Sequence, residues 1–245
     1  MAGTSRTKAE LASTLDLSLS SVSRHIREIE SLQLAERTPD DYILTAAGRL
    51  AVEEYDRFEE RLANFDRLAS ALSALPPGTP LDPSLLTSEV VLADRTLPHQ
   101  PIDAYASILE QARHVRAVIP VVVPRLVELY HRRIIEEGMT AELVLTEPVL
   151  ERLIAAHTEE FRRALDTGRL SIRQTDSAAY GLSIVETEAG LSANFLPFVE
   201  TGLHALVKSV DPAAIQWAEV VYEQRWRAAD PLPSGRPSSS DDDGE

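Results

Sequence analysis

The 245-residue chain contains no cysteine, which excludes disulfides, thiolate metal sites and a cysteine nucleophile. Lysine is almost missing as well: Lys8 and Lys208 stand alone among 24 basic residues, and the rest are arginine. No window approaches the roughly 20 apolar residues that a membrane span requires. The opening MAGTSRTKAE has no apolar core, so no secretory signal is expected and the chain is assigned to the cytoplasm. Neither common form of glycine-rich phosphate loop occurs, which argues against nucleotide binding through one. No cofactor is expected.

Acid is abundant. The net charge is −15. Acidic excess with little lysine is the pattern expected of a halophile's cytoplasm, where carboxylates hold water and cations and salt screens their repulsion. A GC-rich genome encoding an ordinary acidic protein is the competing explanation. The charge is unevenly placed. Residues 1–50 carry six basic and seven acidic groups, leaving −14 to the remainder. A strongly acidic face repels DNA, so a near-neutral segment in an acidic chain suits contact with phosphates.

That segment holds the clearest pattern, TKAELASTLDLSLSSVSRHIREIESLQLAER at residues 7–37. Thr7 can cap a helix over 8–15, with Glu10 completing a capping box. Asp16-Leu17 breaks it, and Ser18 caps a second helix over 19–32. Leu19, Val22, Ile26, Ile29 and Leu32 recur at helical spacing and should pack inward. Ser20, Ser21, Ser23, Arg24 and Arg27 occupy the opposite face. A short β-hairpin follows over 34–44, with Pro39-Asp40-Asp41 at its tip, and Thr45 caps a third helix running to about residue 75. On it Tyr55, Phe58, Leu62, Phe65, Ala69 and Leu72 form a heptad seam, which predicts pairing of two chains.

Helix, turn, helix, hairpin, helix is the order of a winged helix-turn-helix. AELASTLDLSLSSVSRHIREIESLQLAER resembles the core of bacterial and archaeal regulators of the ArsR/MarR/TrmB type. LTAAGRLA resembles their Leu-Thr-x-x-Gly entry to the helix after the wing. Only residues 1–6 precede the TKAEL segment where that family's domain has its first helix, so either the chain start is misassigned or truncated or another element is expected in that place.

Pro76-Pro77-Gly78-Thr79-Pro80 marks a linker. Beyond it, strands are expected at 90–93, 115–123, 141–146, 170–174, 182–188, 191–198 and 203–209. Helices are expected at 101–113, 124–137, 148–167 and 212–229. This is an α/β sheet with a mixed edge. The VRAVIPVVVP and GMTAELVLTEPVL segments, Tyr180-Gly181-Leu182-Ser183-Ile184-Val185 and AAIQWAEVVYEQRWRAA resemble the sensor domain of archaeal methanogenesis-regulator-like and TrmB-like proteins. The resemblance implies a fold similar to phospholipase D and a small-molecule effector. Residues 231–245, PLPSGRPSSSDDDGE, are expected to be disordered. The expected organisation is thus an α+β winged helix-turn-helix at 1–50, a long linker helix with a Pro-rich linker at 51–80, an α/β domain at 81–230, and an acidic tail.

A helix in the major groove reads base edges near its N-terminus, while flanking elements hold phosphates. Ser21 and Arg24 are the best placed for bases, with Ser20 and Ser23 beside them, and Arg27 can reach either. Thr7, Lys8, Ser18 and Arg37 suit phosphates, and His25 can donate to one when neutral. The partners implied are double-stranded DNA, a second copy of the chain and an effector, with no membrane. In open α/β sheets ligands bind beyond the carboxyl ends of the strands. That rule selects Arg125, Thr146 and Glu147, with Tyr180 near. Two other readings compete: a winged helix that binds only protein, and an enzyme. Phospholipase D chemistry needs a His-x-Lys pair and a later Asp, and the nearest approach, His204, Lys208 and Asp211, has the wrong spacing. Glu128 with His131, or His157 with Glu160, have metal-ligand spacing but fit a solvated helix face equally. No metal site is assigned.

Overall fold

A computed structural model describes residues 5–39, 41–200 and 202–232, apart from the side chains of Glu60 and His157. The expected hairpin-tip residue Asp40 and residues 233–245 of the expected disordered tail lie outside the described residues. The chain divides into two compact units between Ala63 and Asn64.

In the first unit, helix α1 (Lys8–Leu15) begins at Thr7, whose hydroxyl accepts from the Glu10 amide at 3.2 Å. The Thr7 amide donates back to the Glu10 carboxylate at 2.8 Å, closing the capping box. The helix stops at Asp16, which is left-handed at φ 53. Helix α2 (Leu19–Ser31) starts where the Ser18 hydroxyl accepts from the Ser21 amide at 3.2 Å. Strands β1 (Ala35–Arg37) and β2 (Tyr42–Leu44) form the antiparallel hairpin. Arg6, which the sequence left unassigned, bridges to β2 through two backbone bonds with Tyr42 of 3.1 and 2.9 Å.

Helix α3 (Ala46–Leu72) follows, three residues shorter than expected. The Thr45 hydroxyl accepts from the Gly48 amide and donates to the Gln33 carbonyl, tying the helix start to the end of α2. A Cβ on Gly48 would stand 1.8 Å from the Leu34 carbonyl oxygen. The Leu-Thr-x-x-Gly pattern therefore has a steric cause. The helix passes so close to the backbone leading into β1 that only glycine fits.

One packing expectation needs correction. On α2 only Val22 and Ile26 are buried, whereas Leu19, Ile29 and Leu32 are exposed. Helices α1 and α2 pack together and β1 packs on α2, and this packing covers Val22 and Ile26 but not the apolar residues at either end of α2. On α3 the inward residues are Leu68 and Ala71. Tyr55, Phe58, Leu62 and Phe65 are each more than half exposed, and only Leu72 of the seam is partly buried.

The second unit is built on an eight-stranded mixed sheet. After a 3-10 turn (Pro83–Thr87) its elements are β3 (Glu89–Leu92), α4 (Gln100–Leu109), β4 (His114–Ile119), α5 (Pro124–Ile135), β5 (Thr140–Thr146) and α6 (Glu147–Asp166). Then come β6 (Leu170–Thr175), β7 (Gly181–Thr187), β8 (Gly190–Leu196), the small pair β9 (Phe198–Val199) and β10 (Gly202–Leu203), β11 (Ala205–Ser209), α7 (Pro212–Ala228) and β12 (Asp230–Pro231). The sheet order is β12-β6-β5-β4-β7-β8-β11-β3. Strands β4, β5 and β6 run parallel, and the pairings from β4–β7 out to β3, like that of β12, are antiparallel. Parallel strands covered on both faces must be apolar throughout, which is what AVI and LVL in β4 and β5 supply.

One face packs a cluster containing Tyr105, Leu109, Leu129, Ile134 and Val149 from α4, α5 and α6. The other packs Tyr222 and Ala218 of α7 with Leu68 and Ala71 of α3. Tyr222 is fully buried and its hydroxyl donates to the Glu142 carbonyl at 3.1 Å. Arg116 on β4 meets Glu219 on α7 at 2.5 Å.

Strand β4 ends at Ile119 instead of 123, because Pro120 has no N–H to continue the ladder. Pro231, expected in the disordered tail, instead pairs with Arg173 at the sheet edge, where a proline's missing donor faces outward. The Arg173 guanidinium holds the Trp226 and Ala229 carbonyls at 3.0 and 3.3 Å, which fixes the turn from α7 into β12.

Candidate functional site

The start of α2 is a cluster of hydroxyls. Ser18 Oγ lies 2.8 Å from Ser20 Oγ and 3.0 Å from Ser21 Oγ. Their hydrogen bonds are thus partly spent on one another at the helix N-terminus, where backbone N–H groups also favour anions. Ser20 is exposed, while Ser21 and Ser23 are half-buried, which leaves them less reach than the helical spacing alone suggests. Arg24 is exposed and, among the described residues, has no hydrogen bond or ion pair. Arg27 Nε donates to the Ser23 carbonyl at 3.1 Å, which lays that side chain back along its own helix. His25 Nδ1 is 3.4 Å from Glu28, so a local carboxylate competes for it.

The flanking residues are placed differently. Lys8 Nζ sits 5.5 Å from the centre of the Tyr42 ring, and Thr7 is committed to the capping box. Arg37 is exposed on β1. The structure therefore brings Ser18, Ser20, Ser21 and Arg24 together on one short surface. Lys8 lies against the hairpin, and Arg37 stands on it.

In the second unit, a cavity of about 350 Å³ opens between the sheet and α5 and α6. Its walls come from the end of β4 and the following residues 117–123, from α5 and α6, and from parts of β5, β6, β7 and β8. The lining is mostly aliphatic. Its polar members are Tyr105, Tyr130, Glu128, His131 and Glu160. The Tyr105 and Tyr130 hydroxyls lie 3.3 Å apart, and burial pushes both phenols above their ordinary range, so each remains a neutral donor. Ser183 stands beside Tyr105, but its buried hydroxyl has no full hydrogen bond. His131 Nε2 is likewise buried without a partner. At ~24 cal/mol per Å³, a void of about 350 Å³ forfeits at most on the order of 8 kcal/mol of packing, less wherever water enters its mouth. That is comparable to the whole stability of an ordinary domain.

None of the four residues chosen from strand topology lines this cavity. Arg125 is paired with Asp103 on the surface. The Thr146 hydroxyl faces the Pro120 carbonyl at 3.4 Å, and Glu147 lies exposed in the first turn of α6. Tyr180 belongs to the opposite face, its ring 4.5 Å from that of Phe195. The physical reason is register. Residues that end a strand point at the helix start or at solvent, and the space beneath is walled by apolar residues one turn further on. Residues 120–123 were the available signal, a proline interrupting a β-branched run at a strand's carboxyl end.

The other chemistry-bearing sets disperse. His204 Nε2 is 3.0 Å from the Ser70 carbonyl, Lys208 is 3.8 Å from Glu89, and Asp211 caps α7. Among the described residues no three His, Asp or Glu side chains converge as a metal site would require. No helix of the described residues is long and apolar enough to cross a membrane.

Comparison with known proteins gives two family matches. Residues 98–228, more than half the chain, match the middle domain of the methanogenesis regulatory protein FilR1. Residues 1–67 match the HVO_A0261 N-terminal domain. No curated protein matches. Among solved structures, the chain is similar to TrmBL2, described as an archaeal chromatin protein with a novel mode of DNA binding. The two are 16% identical with a TM-score of 0.45, over 93% of this chain and 88% of that one. It is also similar to Nuc, a phospholipase D family member from Salmonella typhimurium (10% identity, TM-score 0.41, 60% of this chain and 99% of that one). Polyphosphate kinase from Porphyromonas gingivalis is a third (9% identity, TM-score 0.46, 73% and 29%).

Proposed function

Since the chain belongs to the family of the FilR1 middle domain, which is named for a methanogenesis regulatory protein, we propose that it is a DNA-binding transcription regulator. The reader is residues 1–50, folded as a winged helix-turn-helix. Residues 51–80 pair two copies, and residues 81–230 respond to an effector. The observation that carries the reading is Arg24, an exposed guanidinium that has no hydrogen bond or ion pair among the described residues, on the N-terminal half of a capped helix. A guanidinium in that position can pair bidentately with a guanine edge. Ser18, Ser20, Ser21 and Ser23 support it with hydroxyls, while Thr7, Lys8, His25, Arg27 and Arg37 serve phosphates. The exposed stripe Tyr55, Phe58, Leu62 and Phe65 supports pairing through α3, because such a row on a 27-residue helix is otherwise left in water. Two copies would present two readers to half-sites about one helical turn apart. The acidic composition supports a cytoplasm rich in salt.

Gel retardation tests the reading. Arg24→Ala should abolish site-specific retention while leaving the oligomer intact. Undiminished specific binding by the variant would refute the assignment. A second reading, a winged helix that binds protein only, draws on the exposed Leu19, Ile29 and Leu32 of α2. It requires that the unaltered chain show no sequence-selective retention at all.

A further inference from the structure

The cavity between the sheet and helices α5 and α6 has a lining that discriminates among ligands. Among the described residues, its walls include Glu128 and Glu160 but no lysine or arginine. A carboxylate or phosphate placed there would leave water for walls that hold two carboxylates and no lysine or arginine, at a penalty far above that of an uncharged group. The aliphatic walls, including Val122, Leu126, Leu145, Val149, Leu153 and Phe161, reward burial of hydrocarbon or an aromatic ring. One end is different. There the Tyr105 and Tyr130 hydroxyls meet, and the buried His131 Nε2, elsewhere in the lining, has no partner. That nitrogen is itself covered, whereas each phenol of the tyrosine pair keeps hydrogen-bonding capacity beyond the contact with its neighbour. The volume falls at the lower end of the range for small-molecule sites.

We propose that this cavity binds an uncharged, largely apolar small molecule carrying one hydrogen-bonding group, and that it rejects anionic molecules of the same shape. The polar group bonds to the tyrosine pair, and the apolar body fills the space under residues 119–123. That the bound molecule also acts as the effector rests on the regulator reading above.

Two fluorescent probes of related shape test the charge preference. N-phenyl-1-naphthylamine is uncharged, and 1-anilinonaphthalene-8-sulfonate adds an anion to the same ring system. The intact chain should take up the uncharged probe saturably, one per chain, and bind the sulfonate at least tenfold more weakly. Val122→Trp, which fills the cavity from the segment after β4, should weaken the uncharged probe at least tenfold with the circular dichroism spectrum unchanged. Leu153→Trp fills it from α6 and replaces the first variant if that one fails to fold. The proposal is overturned by sulfonate binding as tight as the uncharged probe, by absent uptake, or by uptake retained within twofold in a folded filled variant. Gel retardation on the same samples separates the two readings. Probe uptake that leaves DNA retention unchanged removes the effector role and keeps the site. Loss of the site with DNA retention intact leaves the regulator reading standing.

Discussion

Gly48→Ala isolates the contact that fixes the start of α3 against the hairpin. The added Cβ would lie 1.8 Å from the Leu34 oxygen, 2.8 Å from its carbonyl carbon and 3.2 Å from Leu44 Cδ2. Backbone must therefore move by more than an ångström, since a rotamer change cannot relieve a carbonyl. The same oxygen accepts the Thr45 amide at 3.1 Å, so its displacement puts that bond at risk. Overpacking costs roughly 1–3 kcal/mol, and the lost hydrogen bond about 1 kcal/mol. Alanine's better helix propensity returns about 1 kcal/mol. The net is a loss of about 1–3 kcal/mol. A unit of this size holds only about 3–9 kcal/mol in all. Both tryptophans, Trp217 and Trp226, belong to the second unit, so the two parts can be followed separately. Urea unfolding followed by far-ultraviolet circular dichroism should show an earlier transition in the variant, with the tryptophan fluorescence midpoint unmoved. Specific DNA retention should fall with it. A variant as stable as the parent by circular dichroism would refute the steric reasoning and leave only the propensity gain.

Two further outcomes are expected. The Glu10 carboxyl is held below its ordinary pKa, first by the hydrogen bond from the Thr7 amide and then by the Thr7 hydroxyl. A lowered folded value means that its stabilisation is complete above the ordinary carboxylate range and lost as pH falls through the folded value. The Thr7 amide proton resonance should therefore titrate in acid, and Glu10→Gln, which keeps the cap, should flatten that titration. An unchanged titration in the variant would contradict the assignment. DNA affinity should have a shallow or inverted salt dependence, because a chain of net charge −15 takes up cations on meeting DNA and offsets counterion release. A steep loss of affinity between moderate and high potassium chloride would contradict this.

Local chemistry was legible in the residues. The bounds of α1 follow from Thr7, Glu10 and Asp16, and the start of α5 from Pro124, because caps act within a turn, whereas α5 ends at Ile135, two residues before the expected 137. The mixed sheet was legible from alternating apolar runs and amphipathic helices. Burial across elements was less so. The spacing of Leu19, Ile29 and Leu32 is that of a core face, yet spacing says nothing about whether a neighbour exists to cover it. Helix α4 was read as ending at residue 113 but stops at Leu109, because the Arg113 amide is drawn into the sheet by the Glu186 carbonyl at 2.8 Å. The cavity was least legible. Its lining draws on elements from α4 through β9, and nothing in the order of Tyr105, Tyr130 and His131 announces that they share a wall.

The reader assignment is tested most directly by selecting bound sequences from a random duplex pool with the full chain and with Arg24→Ala. The intact chain should enrich a two-fold symmetric motif with half-site centres about one helical turn apart, and the variant should lose preference at the base pair that Arg24 contacts. Absence of any enriched motif, or the same motif enriched equally by both chains, would contradict it.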